Sequence, residues 1–188
     1  MGNVIQLNHT SINNIRKLSL ESQARKSELA QALTTDGKNA VTAKTINPQK
    51  SSSESVSYTS KDLYEALEDS PTQWVLFHTH LQDLNHANVH SQQDEKQHAK
   101  NAQQYSPDSS CEIFDCLGNG IIGVRKDGGF SIKARSTQDN NLIKFSHDGV
   151  EAEELVFDKE GNMIWHKKES TLDPEDNKPD SWDFDPAA

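Results

Sequence analysis

The spacing of apolar positions changes along the chain, and each change predicts a different kind of structure. Residues 11–33 carry apolar side chains at loosely helical spacing, which predicts one weak amphipathic helix. Residues 34–53 hold almost no large apolar side chain and end in Ser51-Ser52-Ser53, so we predict that they lack regular structure. The pattern therefore predicts a polar, largely flexible N-terminal arm over residues 1–53.

A short helix, a strand and a second helix follow. Ser60 stands at an N-cap position before apolar residues that share one helical face, and Pro71 follows the end of this predicted helix. The apolar run Trp74-Val75-Leu76-Phe77 predicts a buried strand. A second helix is predicted from Gln92 to about Tyr105, because Pro107 cannot continue it.

Beyond Cys111 the apolar period becomes two. Asn119-Gly120, Asp127-Gly128 and Gly161-Asn162 predict tight turns between antiparallel strands over residues 111–168, since Asn-Gly and Asp-Gly favour hairpins. We therefore predict an α+β domain over residues 54–168, built as a small β-meander or mixed sheet flanked by two or three helices.

Composition limits the partners and the location. Only 32% of the 188 residues are hydrophobic, and the formal net charge is −10, which argues against nucleic acid as a partner. Residues 169–188 form an acidic tail. No stretch reaches the roughly 20 apolar residues of a membrane span, and no secretory signal is evident. We expect a cytoplasmic protein, or an effector exported by a specialised secretion system, because the polar leader is similar to those of such effectors.

A candidate metal site follows the apolar strand. Side chains two residues apart in a strand share a side, so His78 and His80 could present two imidazoles to one ion. Asp94, brought back by the intervening loop, would complete three protein ligands and leave a fourth position open, as in catalytic zinc sites. Five of the eight histidines lie within residues 78–98.

Two alternatives stay open at this point. Ser91-Gln92-Gln93-Asp94 matches a capping box, in which Ser91 and Asp94 only start a helix. A rival ligand set on one helical face contains His86, His90, Asp94 and His98. Each step of four drifts by about 40°, so these positions fan over roughly 120° and cannot all reach one ion. His90 and Asp94 remain the only pair of this set that could join His78 or His80.

The order of these motifs resembles that of the JAMM (MPN) metallopeptidases, in which an upstream Glu precedes His-x-His and then Ser-x-x-Asp. The likeness rests on His78-Thr79-His80 and on Ser91-x-x-Asp94, and it covers roughly residues 54–135. A strand, a glycine turn and another strand over residues 113–122 are similar to divergent members from bacterial secreted and toxin-associated proteins.

The resemblance implies metal-assisted hydrolysis of peptide or isopeptide bonds. Zinc would be held by His78, His80 and Asp94. Glu54 would shuttle the proton, and Ser91 would help to hold the oxyanion. The implied partner is a protein or peptide substrate.

Two other hypotheses remain. The same β-rich domain, with or without a vestigial site, could be a non-catalytic module that binds a protein partner through its meander or its acidic tail. Alternatively, the acidic chain could be an immunity-type inhibitor that covers a basic surface.

Overall fold

The computed structural model describes residues 4–36, 38–67, 73–81 and 116–167. Within these residues the chain forms two helices and twelve strands. In chain order they are β1 Val4–Gln6, α1 His9–Arg25, β2 Ala30–Thr35, β3 Ala40–Ile46, β4 Lys50–Ser51, β5 Val56–Ser57, α2 Ser60–Ala66, β6 Gln73–Leu81, β7 Cys116–Val124, β8 Phe130–Ser136, β9 Lys144–His147, β10 Val150–Ala152, β11 Glu154–Phe157 and β12 Met163–Lys167. The fold is mixed and strand-rich.

A seven-stranded sheet in the order β12-β11-β8-β7-β6-β2-β3 organises the fold. Its neighbouring strands pair antiparallel except β6 and β7, which run parallel. β1, β9 and β10 form a smaller sheet, and β4 pairs with β5 in a short hairpin. The excursion through β9 and β10 separates β8 from β11 in sequence, although the two strands are neighbours in the main sheet.

Helix α1 begins at a reciprocal cap and ends well before the predicted residue 33. The Asn8 side chain accepts a hydrogen bond from Ser11 N at 2.8 Å, and Ser11 Oγ accepts one from Asn8 N at 3.1 Å. Lys26 adopts a left-handed conformation with φ 53°, which stops the helix. The last apolar residues of the predicted helix, from Ala30 to Leu33, reach the two cores as residues of β2 instead.

Two hydrophobic cores lie on the two faces of the main sheet. The larger core joins α1 and the small sheet to one face, through residues such as Ile15, Phe77 and Phe145. The smaller core packs α2 on the opposite face, where Leu63 meets Trp74 and Leu76. Because β6 contributes to both cores, its position is fixed from both sides.

The prediction that residues 34–53 lack regular structure is wrong. β2 ends within this range at Thr35, and β3 and β4 lie inside it. β3 is built from small residues such as Ala40 and Ala43, which bury little area but pair along the whole of β2. Residues on both sides of residue 53 therefore belong to one sheet and one core, and the predicted boundary between arm and domain does not divide them.

Of the predicted turns, the one at Asp127-Gly128 is present and the one at Asn119-Gly120 is not. Asp127-Gly128 forms the turn between β7 and β8, where Gly128 N donates to Arg125 O at 3.1 Å and Gly128 has φ 91°. Asn119-Gly120 instead lies inside β7, so the predicted turn there is wrong. A Cβ on Gly120 would stand 2.6 Å from Phe77 Cδ1, and the glycine thus makes room for an aromatic ring.

No helix interrupts residues 116–167, as the strand pattern predicts. The predicted helix over residues 92–105 and the acidic tail over residues 169–188 lie outside the described residues.

Candidate metal centre

Strand β6 presents its two histidines on one side of the main sheet. Val75 and Phe77 point to the α1 face, and Trp74 and Leu76 point to the α2 face. Strand alternation then places the imidazoles of His78 and His80 on the same side as Leu76. The apolar run before the histidines is buried on both sides of the sheet and holds this segment as an interior strand.

The two imidazoles face each other closely. His78 Nε2 and His80 Nε2 lie 2.7 Å apart, and the ring centroids are 4.6 Å apart with an interplanar angle of 57°. His80 is buried and His78 is half-buried. Gly123 pairs with His80 from β7, so no side chain projects from the neighbouring strand beside this imidazole.

Glu28 brings a carboxylate to the same point. Glu28 lies two residues before β2, and the antiparallel pairing of Ala30 with His78, continued by two residues, places it beside His80. Each of Glu28, His78 and His80 offers one ligand atom, and these atoms all lie within 4.8 Å of one another. Glu28 is buried, with 6% of its surface exposed. The three side chains form a group that could hold a metal ion.

The β4–β5 hairpin fixes the backbone of Glu28. Glu28 N donates to Ser52 O at 2.7 Å, and Ser51 Oγ donates to Glu28 O at 2.6 Å. Both polar groups of the Glu28 backbone are thus satisfied before β2 begins its ladder. The Ser-rich segment, which the sequence predicts to lack regular structure, therefore holds the backbone of Glu28 in place.

The donor set fits a first-row divalent ion. Two imidazole nitrogens and a carboxylate oxygen are the ligands of many catalytic zinc sites, which keep a fourth position open. At a Zn–N distance of about 2.05 Å, tetrahedral ligand nitrogens lie about 3.3 Å apart, so the two imidazoles would have to separate by roughly 0.6 Å. Rotation about the side-chain torsions supplies such a shift without moving the strand.

Among the residues predicted for the site, only His78 and His80 come together in the described part of the chain. Glu54 lies exposed in the turn of the β4–β5 hairpin, outside the Glu28–His78–His80 group. Ser91 and Asp94 lie outside the described residues.

Sequence reasoning missed Glu28 because residues 1–53 were assigned to an arm. A signal was nevertheless present. Glu28 is followed by Leu29-Ala30-Gln31-Ala32-Leu33, a segment with short apolar side chains that also suits a strand. A carboxylate at the start of a strand is well placed to meet residues at the end of an antiparallel neighbour.

Polar side chains continue from the histidines across the same face. His78 pairs with Ile121, which pairs in turn with Lys133, so Lys133 shares the face of the histidines. Lys133 is buried, and this burial lowers the pKa of its amine to about 8, although the negative charge of Glu154 opposes the shift. Asn119 is a further buried polar residue on this face, beside Leu76.

Comparison with protein-family models and with curated proteins finds no match for this chain. Within the described residues, no helix is both long and apolar enough to cross a bilayer. The Glu28–His78–His80 group is therefore the feature from which we infer function.

Proposed function

We propose that this protein is a metal-dependent hydrolase of peptide or isopeptide bonds, with zinc as its metal. The observation that carries the proposal is the convergence of a buried carboxylate, Glu28, on the facing imidazoles of His78 and His80. The pairing of β2 with β6 brings the residue ahead of β2 next to the two histidines of β6.

Each residue has a distinct role in this proposal. His78 and His80 would bind the metal through Nε2, with Asp94 as the third ligand. Zinc bound there would lower the pKa of a coordinated water to about 7 and polarise the scissile carbonyl. Glu28 would accept a proton during attack and return it to the leaving amine, and Ser91 would donate a hydrogen bond to the developing oxyanion.

The order of residues along the chain supports this assignment. Glu28, His78-x-His80 and Ser91-x-x-Asp94 follow the order of the JAMM metallopeptidases, which the chain resembles in these motifs. Glu28 supplies the upstream glutamate in that order, in place of the exposed Glu54.

A non-catalytic protein-binding role is the second candidate. β12 is an edge strand of the main sheet, and it exposes Ile164 and Trp165 to 49% and 47%. An edge strand with exposed apolar side chains can add a partner strand. In this role the protein would act as an effector or regulator without turnover.

Metal content separates the two candidates. The chain should be purified, stripped with a chelator and titrated with Zn²⁺ by calorimetry, with elemental analysis of the protein as isolated. The proposal expects about one zinc per chain, lost in His80→Ala and kept in the control His166→Ala, which changes a histidine of β12. A wild-type chain that binds no zinc would contradict the hydrolase proposal and favour the binding role.

A second measurement tests the role of Glu28. Glu28→Gln keeps a side-chain oxygen but removes the basic carboxylate, so it should retain zinc and lose hydrolysis of peptide and isopeptide-linked substrates by about 10² to 10⁴-fold. Equal turnover by the variant and the wild type would exclude Glu28 as the proton acceptor.

A further inference from the structure

Thr79 lies between the two histidines but faces the other side of the sheet. Its side chain is fully buried, and Thr79 Oγ1 accepts a hydrogen bond from Leu29 N at 2.8 Å. Thr79 N in turn donates to Leu29 O at 2.8 Å. Both backbone polar groups of Leu29 are therefore bound to one residue of β6, and that residue separates His78 from His80.

A second buried hydroxyl extends this contact to helix α1. Ser22 Oγ donates to Ser27 O at 2.5 Å, and it lies 2.7 Å from Thr79 Oγ1. A serine hydroxyl has a single hydrogen, and the Ser27 carbonyl can only accept. The hydrogen between the two hydroxyls therefore belongs to Thr79, which donates to Ser22.

The hydrogen bonds run in one direction through both hydroxyls. Leu29 N–H donates to Thr79, the Thr79 hydroxyl donates to Ser22, and the Ser22 hydroxyl donates to Ser27 O. In such a chain each hydroxyl both accepts and donates, so neighbouring bonds strengthen one another in a water-poor interior. We call these four groups the hydroxyl relay.

The relay encloses Glu28 in sequence. It begins at the amide of Leu29 and ends at the carbonyl of Ser27, the two residues on either side of Glu28. The backbone N–H and C=O of Glu28 itself are bonded to Ser52 and Ser51 of the β4–β5 hairpin. Hydrogen bonds thus fix the backbone at three successive residues, Ser27, Glu28 and Leu29, and so set the direction of the Glu28 side chain.

We propose that Ser22 and Thr79 are positioning residues that set the Glu28 carboxylate against the imidazoles of His78 and His80. This inference rests on the proposed metal-dependent function. Neither hydroxyl touches the metal group, because both lie on the α1 face of the sheet. They act through the register between β2 and β6, which also fixes the backbone between the two metal-binding histidines, in the way that residues behind a metal ligand orient it.

The decisive variant is Thr79→Val, which keeps the branched shape and removes the hydroxyl. Leu29 N then loses its acceptor, and the segment that carries Glu28 is free to shift. Thr79→Ser restores the hydroxyl and serves as the conservative rescue. Ser22→Ala breaks the relay from the helix side and leaves Thr79 in place, so it decides the question if Thr79→Val does not fold.

Thr34→Val is the matched control. Thr34 Oγ1 lies 2.6 Å from Thr42 Oγ1 and accepts from Thr42 N at 3.1 Å, so it makes the same kinds of bond in the same sheet. Thr34 stands towards the end of β2 that is remote from Glu28. Loss of this hydroxyl should lower stability without changing the metal group.

The experiment measures Zn²⁺ affinity by competition with a chelator and the visible absorption spectrum of the Co²⁺-loaded chain. We expect Thr79→Val to lower Zn²⁺ affinity about 10 to 100-fold and to alter the Co²⁺ spectrum. Thr79→Ser and Thr34→Val should match the wild type in both measurements. Unfolding curves of the metal-free variants separate these effects from loss of fold.

The outcomes distinguish this inference from the proposed function. If the wild type binds Zn²⁺ and both Thr79→Val and Ser22→Ala bind it equally well, the positioning role is overturned and the metal site stands. The same holds if Thr34→Val weakens binding as much as Thr79→Val. If the wild type binds no metal, the proposed function is overturned, and this inference with it.

Discussion

The two faces of the main sheet bury different kinds of side chain. On the face that packs against α1, the central strands contribute apolar side chains, including Leu33, Phe77, Ile132 and Leu155. On the opposite face, an apolar half packs against α2, and the other half carries the two histidines with buried Lys133. β6 contributes to both faces, with Phe77 on one side and His78 on the other.

This difference indicates that the α1 face mainly stabilises the fold and that the opposite face carries the groups that could bind a metal. Apolar burial on the α1 face stabilises the fold in proportion to the area removed from water. Buried polar groups on the opposite face cost stability unless other groups compensate them, and they are retained where they perform a task. We therefore expect substitutions on the α1 face to change unfolding, and those around His78 to change metal binding.

The sharpest test compares two neighbours on β6. Phe77→Ala should lower the free energy of unfolding by about 3 to 5 kcal/mol, because it leaves a cavity in the larger core. His78→Ala should cost less than about 1 kcal/mol in the metal-free chain, since this side chain is half-buried and lies outside that core. Urea unfolding of the chelator-treated chain measures both, and equal losses would break the contrast between the faces.

A second test asks whether the polar face reduces stability at neutral pH. Burial lowers the folded-state pKa of Lys133 from 10.5 to about 8, against the opposing charge of Glu154. Between these two pH values the unfolded chain binds more protons than the folded chain at this amine. Stability contributed at Lys133 therefore rises as the pH increases from about 8 to 10.5.

The measurement is the difference between the wild type and Lys133→Met at a series of pH values. The wild type should gain up to about 3 kcal/mol relative to the variant across this window. Burial also raises the pKa of Cys116 from 9.0 to about 12, which lowers stability at high pH in both chains and cancels in the difference. A difference that does not change with pH would show that the Lys133 amine has the same pKa in the folded and the unfolded chain.

A third test concerns the tightness of packing on the α1 face. Gly120→Ala should cost about 1 to 3 kcal/mol, because the new methyl group meets the ring of Phe77 and the carbonyl of Lys133. In a Phe77→Leu background the cost should be smaller, since leucine leaves part of this space free. A double-mutant cycle of unfolding free energies gives the coupling, and a coupling near zero would contradict the predicted contact.

The smallest effect is expected at a turn that belongs to neither face. Burial raises the pKa of Asp127, but hydrogen bonds from Gly129 N and from Arg125, together with the charge of Arg125, outweigh it and leave the pKa below 3.8. The carboxylate thus stabilises the fold above about pH 3.8, and this contribution is lost as the pH falls through the lower folded-state value.

Asp127→Asn should therefore flatten the acid limb of the stability curve. The effect should stay below about 1 kcal/mol, because the Asp127 side chain is 46% exposed and water screens its charge. Acid unfolding of the two chains, followed by circular dichroism, measures the change. Identical acid midpoints would show that the turn does not depend on this carboxylate.

Local patterns predicted several elements correctly. The apolar run before His78 predicts an interior strand, and the alternation of His-x-His predicts that both imidazoles share a side. The turn at Asp127-Gly128 also follows from its sequence. These features depend on the backbone period and on the conformations that single residues favour, so neighbours in sequence are enough to specify them.

Other predictions failed where burial depends on distant partners. Asn119-Gly120 has the composition of a turn, yet it lies in β7, where β6 and β8 pair with it on both sides. The missing side chain of Gly120 leaves room there for the ring of Phe77. Residues 40–46 contain few large apolar side chains, yet they form β3 because β2 pairs with them along its length. The composition of a segment shows only how much apolar surface that segment can bury. A strand also depends on the strands beside it, which composition does not reveal.

The alternation of a strand is enough to place both imidazoles of β6 on one side, but only long-range contacts select the carboxylate that joins them. Glu28 precedes a segment that suits a strand and Glu54 lies in a Ser-rich stretch, but the sequence alone does not show which carboxylate reaches the histidines. The antiparallel register of β2 with β6, held by Leu29 and Thr79 across 50 residues of chain, places Glu28 at the site and leaves Glu54 in solvent. Strand register depends on contacts between segments that are remote in sequence, and such contacts exist only in the folded chain.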